Sequence, residues 1–194
     1  MSSARALLLV LVFAQSAAAV DLRIEYGALE RMLTDAVFTQ EGRRYVHGNK
    51  SAKCDFAYLE NPHIRAENGR LRITAHFTGR KALNLMGQCV GLGDAFDVII
   101  TATPQFRNGA IGLIGVTAVS AGRTGFYIGR VCSALSSSLG RDFRYPIAVE
   151  AQKLLEDPGA QPAYRRELRN FRIPEIRVTG DALVLVVDFE LTVK

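Results

Sequence analysis

From Leu183 to Lys194 the chain reads Leu-Val-Leu-Val-Val-Asp-Phe-Glu-Leu-Thr-Val-Lys. Leu183, Leu185, Val187, Phe189, Leu191 and Val193 fall on one side of an extended backbone, with Val184, Val186, Asp188, Glu190, Thr192 and Lys194 on the other. A period of two, rich in β-branched side chains, predicts a strand with one buried face. Full burial of that face would contribute on the order of 9–18 kcal/mol, an upper estimate. Gly180-Asp181 supplies the turn that folds this strand back on Phe171–Val178.

Upstream the period changes. Ile128, Val131, Cys132, Leu135, Leu139 and Phe143 predict a helix over 126–143 whose other side is rich in Ser and Gly, the composition of a closely packed face or of a small-residue surface. Pro146 must break or restart it. A second helical piece, carrying Ile147, Ala151, Leu154 and Leu155, runs to Glu156 and ends at Asp157-Pro158-Gly159. Before these helices stand two hairpins. Cys54, Phe56 and Tyr58 alternate, Pro62 marks a bulge or an edge, Glu67-Asn68-Gly69 turns, and Leu71, Ile73, Ala75 and Phe77 return. Phe96, Val98, Ile100, Ala102 and Phe106 then lead to the turn Arg107-Asn108-Gly109. The return strand, Ala110 to Ser120, holds Gly112 and Gly115, which permit a sharp bend or a close helix. At the start, Leu29, Met32, Leu33, Ala36 and Val37 predict a helix over 23–41 that ends at Gly42-Arg43-Arg44. The order is helix, hairpin, hairpin, two helices, hairpin, which is α+β with an antiparallel sheet.

Arg5, the apolar run Leu7 to Phe13 and the small residues Ala17-Ala18-Ala19 read as a secretory signal peptide over 1–19. The run falls short of the roughly 20 residues a spanning helix needs. No cysteine follows it for lipid attachment. The expected location is therefore the periplasm, with residues 20–194 as one domain. Of three pairings among Cys54, Cys89 and Cys132, hairpin geometry favours Cys54–Cys89: a turn centred on Asn68 sets Cys54 opposite about residue 82. Cys132 is then free and buried. The net charge of +5 is mild, and the ten Phe and six Tyr are dispersed, so nucleic acid is not an expected partner.

The stretch Ala102-Thr103-Pro104-Gln105-Phe106-Arg107-Asn108-Gly109-Ala110-Ile111-Gly112-Leu113, with the order of elements, resembles small bacterial envelope proteins with a TULIP-like (tubular lipid-binding) domain, of the DUF1439 type. The resemblance implies a strongly curved antiparallel sheet wrapped around a long helix, with an apolar interior that holds acyl chains. It supplies no catalytic residues.

No catalytic constellation assembles from the residues. Ser133, Ser136, Ser137 and Ser138 lack the Gly-x-Ser-x-Gly setting of a hydrolase nucleophile, and Gly91-Leu92-Gly93 lacks the glycines of a dinucleotide loop. His47, His63 and His76 read as solvent-facing, since the register of the first hairpin does not bring the last two opposite each other. Asn49-Lys50-Ser51 is a glycosylation sequon, without meaning in a bacterial envelope. Arg165, Arg166, Arg169, Arg172 and Arg177 form a basic cluster. It reads as a solvated face balanced by Glu167 and Glu175, or as a contact for lipid phosphates on an anionic membrane. The expectation is a non-enzymatic protein without cofactor or metal. It holds lipid or another apolar ligand between helix 126–143 and the sheet, on a wall of Phe96, Val98, Ile100, Leu135, Leu185, Val187 and Phe189. The alternative is a solid-cored module that binds another envelope protein.

Overall fold

A computed structural model describes residues 19–156 and 165–194. The expected leader, apart from Ala19, and the expected helix end at Asp157-Pro158-Gly159 lie outside the described residues. In chain order the elements are β1 (Val20–Glu25), α1 (Tyr26–Val37), β2 (Arg43–His47), β3 (Asp55–Glu67), β4 (Arg70–Leu85), β5 (Gln88–Arg107), β6 (Ala110–Ser120), α2 (Phe126–Asp142), β7 (Arg144–Tyr145), α3 (Ile147–Glu156), β8 (Arg166–Val178) and β9 (Ala182–Val193). The strands form two antiparallel sheets, one ordered β2-β3-β4-β5-β6-β7 and one ordered β1-β9-β8. The class is α+β, as expected, with a strongly curled antiparallel sheet around the helices.

The curl has local causes. An extra residue in one strand bends it and adds twist. The β3–β4 register slips between Glu60 and His63, where Asn61 (φ 53°) precedes Pro62, so the proline marks a bulge. The β5–β6 register slips between Thr101 and Thr103, opposite Gly115 at φ 58°. Gly115 is thus the bend expected of that strand. Gly112 serves close approach instead, but to the Arg144 side chain of β7 rather than to a helix. In β8 the register slips twice, around Asn170 (φ 54°) and Pro174.

Three two-residue turns link β3 to β6, each with two left-handed residues: Asn68-Gly69 (51°, 70°), Met86-Gly87 (51°, 86°) and Asn108-Gly109 (50°, 77°). The outer two stand where the Asn-Gly pairs predict. The middle one joins the two expected hairpins into one meander, because β4 runs on to Leu85 and β5 begins at Gln88, not near Phe96.

Two apolar cores fill the curl. In the first, Ile128, Cys132 and Leu135 of α2 sit on Phe77, Phe96, Val98 and Ile100. The Ser136 hydroxyl accepts the Ala118 N–H (2.8 Å) and donates to the Cys132 carbonyl (2.9 Å), and Gly140 lies against Val116. Ser136 and Gly140 therefore pack closely on β6, whereas Gly129, Ser133 and Ser137 are exposed. The second core gathers Tyr26, Ile64, Leu71, Ile111, Ile147, Ile173, Leu183, Leu185 and Val187. Cys54 and Cys89 form the expected disulfide, Cα atoms 5.2 Å apart, and Cys132 is free and buried. Burial pushes the Cys132 thiol up from its ordinary pKa.

Elsewhere the structure departs from the expectations. The helix predicted over 23–41 is shorter. Residues 20–25 form β1, where Leu22 and Ile24 stand opposite Leu185 and Leu183 and their backbone bonds go to β9. Arg43 and Arg44 do not cap a helix; after a turn at Glu41-Gly42 they open β2, where Arg43 bonds Glu60 (3.0 Å) and lies over the Tyr58 ring. Residues 166–170 extend β8 beyond its expected start at Phe171. The β9 face does not stay buried to its end. Leu183, Leu185 and Val187 are buried and Phe189 half-buried, whereas Leu191 and Val193 are exposed and belong to neither core.

Three arginines of the basic cluster are held in ion pairs. Arg169 bonds Glu167 (2.7 Å), Arg172 bonds Asp188, and Arg177 bonds Asp21 (2.7 Å). Hydrogen bonds from Lys194 and Arg169 pull the Glu167 carboxyl down to about 2. A depressed carboxylate stabilises the fold above its ordinary pKa, here 4.5, and that contribution disappears as pH falls through about 2. In an NMR pH titration the Glu167 side-chain carbon should keep its ionised shift at pH 3.5. A midpoint near 4.5 would show that the Lys194–Glu167–Arg169 contacts do not persist in solution.

Candidate ligand-binding cavity

The site is built on α1. The helix carries an apolar stripe, Leu29, Met32, Leu33, Ala36 and Val37, at the spacing that marks one helical face. It is held at fixed points on both sheets. At its start the Tyr26 hydroxyl donates to the carbonyls of Thr179 (2.5 Å) and Ala182 (3.1 Å) in the β8–β9 turn. Burial, then the Asp181 charge, raise the Tyr26 pKa, so this donor keeps its proton. One turn on, Glu30 accepts the Ile64 N–H (2.6 Å) beside the β3 bulge. At its end Phe38 is buried in the first core.

Held in this way, the stripe does not close onto the sheet. Beneath it lies a cavity of about 110 Å³. Its floor is Leu59 and Ile64 of β3, Leu71, Ile73 and Ala75 of β4, Ile100 and Pro104 of β5, and Ile111 and Leu113 of β6. Ile24, Leu183, Leu139, Phe143, Tyr145 and Ile147 complete the wall with Phe38, and among the described residues Arg44 is the one charged residue on it. A single water needs roughly 10–15 Å³. The space is several times that, yet its wall offers water almost no hydrogen bonds, which favours an apolar occupant.

The cavity adjoins a wider depression of about 560 Å³ lined by Asp35, Arg44, Asp142, Arg144 and Glu150. The two share Met32, Ala36, Val37, Arg44, Phe143 and Tyr145. An apolar interior thus leads to a charged mouth. There a hydrogen bond from Arg141 lowers the Asp142 pKa, assisted by Ser138 and by the field of Arg44. Arg144 donates to the Phe143 carbonyl (2.5 Å). Burial and the Glu150 charge raise the Tyr145 pKa, so the phenol at the junction is neutral at physiological pH.

Of the residues expected to line a ligand site, Ile100 borders this cavity. Phe96, Val98 and Leu135 lie in the first core, Leu185 and Val187 in the second, and Phe189 packs half-buried beside the second. The reason is the seating of α2: its stripe rests directly on the sheet, and the open seam lies under α1. The stripe of α1 is as clear in the sequence as that of α2, but periodicity alone does not separate a closed seam from an open one. Pro104, Ile111 and Leu113, from the stretch that carries the family resemblance, are on the wall.

The histidines stand apart from the cavity. His47 is 3.0 Å from Asp55 and His76 2.8 Å from Asp97, and His63 is 3.7 Å from Glu30. Glu60, not His63, faces His76 across the hairpin. Among the described residues no group of three or more His, Cys, Asp and Glu is arranged to hold a metal, and no helix is long and apolar enough to cross a membrane.

No protein-family model matches the chain, and no curated protein matches it. Among solved structures, a crystal structure of lipopolysaccharide binding protein aligns with a TM-score of 0.37 at 10% identity, over 90% of this chain and 50% of that one. The chain spans about half the length of that protein.

Proposed function

We propose that this protein is a non-catalytic carrier of lipid, or of another molecule with an apolar chain, in the bacterial periplasm. The observation that carries the reading is the apolar cavity under α1, continuous with a charged mouth. The chain portion of the ligand lies against Leu33, Ala75 and Ile100, and a polar head sits at Arg44. The disulfide supports an oxidising compartment, and the leader-like residues 1–19 support export. Kinship with TULIP-like envelope proteins is part of the same proposal.

The test is a filled mouth. Ala36 is exposed on α1 and borders both spaces, so Ala36→Phe should block entry without disturbing either core. Protein purified from its own envelope should release a stoichiometric lipid on extraction. Ala36→Phe should bind a fluorescent fatty acid at least about tenfold more weakly, a difference of about 1.4 kcal/mol, with an unchanged melting temperature. A wild type that is empty, and that takes up no added fatty acid, would leave a protein-binding module as the better account.

A further inference from the structure

The far end of the β4–β5 ladder extends beyond both cores. Directly opposed residues on paired strands share a face. Phe77↔Phe96 and Ala75↔Val98 define the core face of this ladder, and the same face continues through Lys81↔Leu92, Leu83↔Val90 and Leu85↔Gln88. None of these outer residues is in either core. Leu83 is 72% exposed and Leu92 77%, and Leu85 and Val90 are also open. Cys54 holds the arm at two levels: its carbonyl accepts the Ala82 N–H (2.9 Å) at the root, and its disulfide reaches Cys89, opposite Asn84 and two residues from the turn.

Its tip departs from the other two turns of the meander. The three turns of the meander have the same backbone, and two place Asn at the first left-handed position. Asn tolerates that conformation, whereas an unbranched apolar side chain gains nothing there. The third turn places Met86 at that position, fully exposed (105%). Folding does not account for a strained methionine in water at the end of an apolar strip.

The surroundings point to what covers it. Residues 79–93 and 121–131 include Arg80, Lys81, Arg123 and Arg130 and no Asp or Glu. Arg123 bonds Asp94 (2.6 Å) and the Ala95 carbonyl (2.9 Å), which brings the start of α2 to the root of the arm. There Phe126 is 85% exposed beneath Arg130. Lys81 and Arg123 have carboxylate partners in Asp55 and Asp94, while Arg80 and Arg130 have none among the described residues. An apolar projection flanked by unbalanced cations matches the boundary of an anionic bilayer, where side chains enter the acyl region and the cations meet phosphates.

We infer that the Leu83–Leu92 hairpin arm is a membrane anchor that inserts Met86 and its apolar flanks into an anionic lipid surface. Docking by this arm does not depend on a filled cavity.

The chain has no tryptophan, so Met86→Trp carries a single reporter at the tip. With vesicles of phosphatidylglycerol and phosphatidylcholine its emission should shift to the blue, and the protein should sediment with them. Added salt should weaken this binding, and pure phosphatidylcholine should bind less. The Leu85→Ser/Met86→Asn variant restores the turn residue used elsewhere in the chain. It should bind these vesicles about tenfold less or weaker while melting no lower than wild type. Ala36→Phe should bind them like wild type, which separates this inference from the carrier reading. An emission spectrum unmoved by vesicles, or full sedimentation of Leu85→Ser/Met86→Asn, overturns the inference. A blue shift that follows protein concentration without lipid also overturns it, in favour of a second copy of the chain.

Discussion

Phe77→Ala is expected to destabilise the fold by about 3–5 kcal/mol. Phe77 is 2% exposed and meets Phe96 with ring centroids 5.0 Å apart, beneath α2. Gly79, two residues on, makes room for the ring: a Cβ there would stand 2.8 Å from Phe77 Cζ. The ring therefore occupies space that a side chain at residue 79 would fill, and truncation leaves a void beneath α2. Urea unfolding would measure the effect, as a lower midpoint at an unchanged slope. A cost below about 1 kcal/mol would mean that the first core collapses around the gap. The fatty-acid binding proposed for the cavity under α1 should be unchanged at temperatures where the variant is folded, because Phe77 is not on its wall.

Replacing Cys54 and Cys89 together by serine is expected to cost about 4 kcal/mol. The bond joins residues 35 apart, and cross-linking a loop of that size removes about that much chain entropy from the unfolded state. Reductant should reproduce the loss in wild type and leave the double variant unaffected. The loss has a local side as well. The bond fastens Cys89, close to the turn of the β4–β5 arm, to Cys54 just before β3, so amide exchange should accelerate in residues 81–92 more than in the cores. A uniform acceleration would show that the bond acts on the whole domain alone.

What the sequence discloses follows from which signals are local. Asn68-Gly69 and Asn108-Gly109 are turns by chemistry, and the alternation around them is regular, so both hairpins are readable. Met86-Gly87 is the same turn with an uninformative first residue. Gly79, Gly91 and Gly93 also interrupt the pattern on either side, so the arm does not announce itself. β1 is hidden for another reason: six residues running into a helical stripe carry no turn signal of their own, and only the distant β9 makes them a strand. Cys54–Cys89 is legible because the hairpin register places one near the other. The cavity is half legible. Leu29, Met32, Leu33, Ala36 and Val37 are marked as an apolar face, but whether such a face meets its sheet is decided by Tyr26 and Glu30, whose bonds reach Thr179, Ala182 and Ile64. Those contacts join residues far apart in sequence, and no local pattern encodes them.

The pairing of β1 with β9 bears on the order in which the domain is completed. Val20 stands opposite Val187 and Glu25 opposite Ala182, so one sheet is closed by segments some 160 residues apart. The six-stranded meander has no such requirement, since β2 to β6 each pair with the next strand along the chain. In a chain threaded N-terminus first, the meander and its disulfide can form while the small sheet waits for its central strand. Long-range closures of this kind are slow, because loop entropy is spent before the contact returns anything. Until β9 arrives, Leu22 and Ile24 lack their partners and Tyr26 has no turn to bond. On that order the second core and the Tyr26 anchor of α1 are completed together with β9, and the cavity beneath α1 is closed by the same strand.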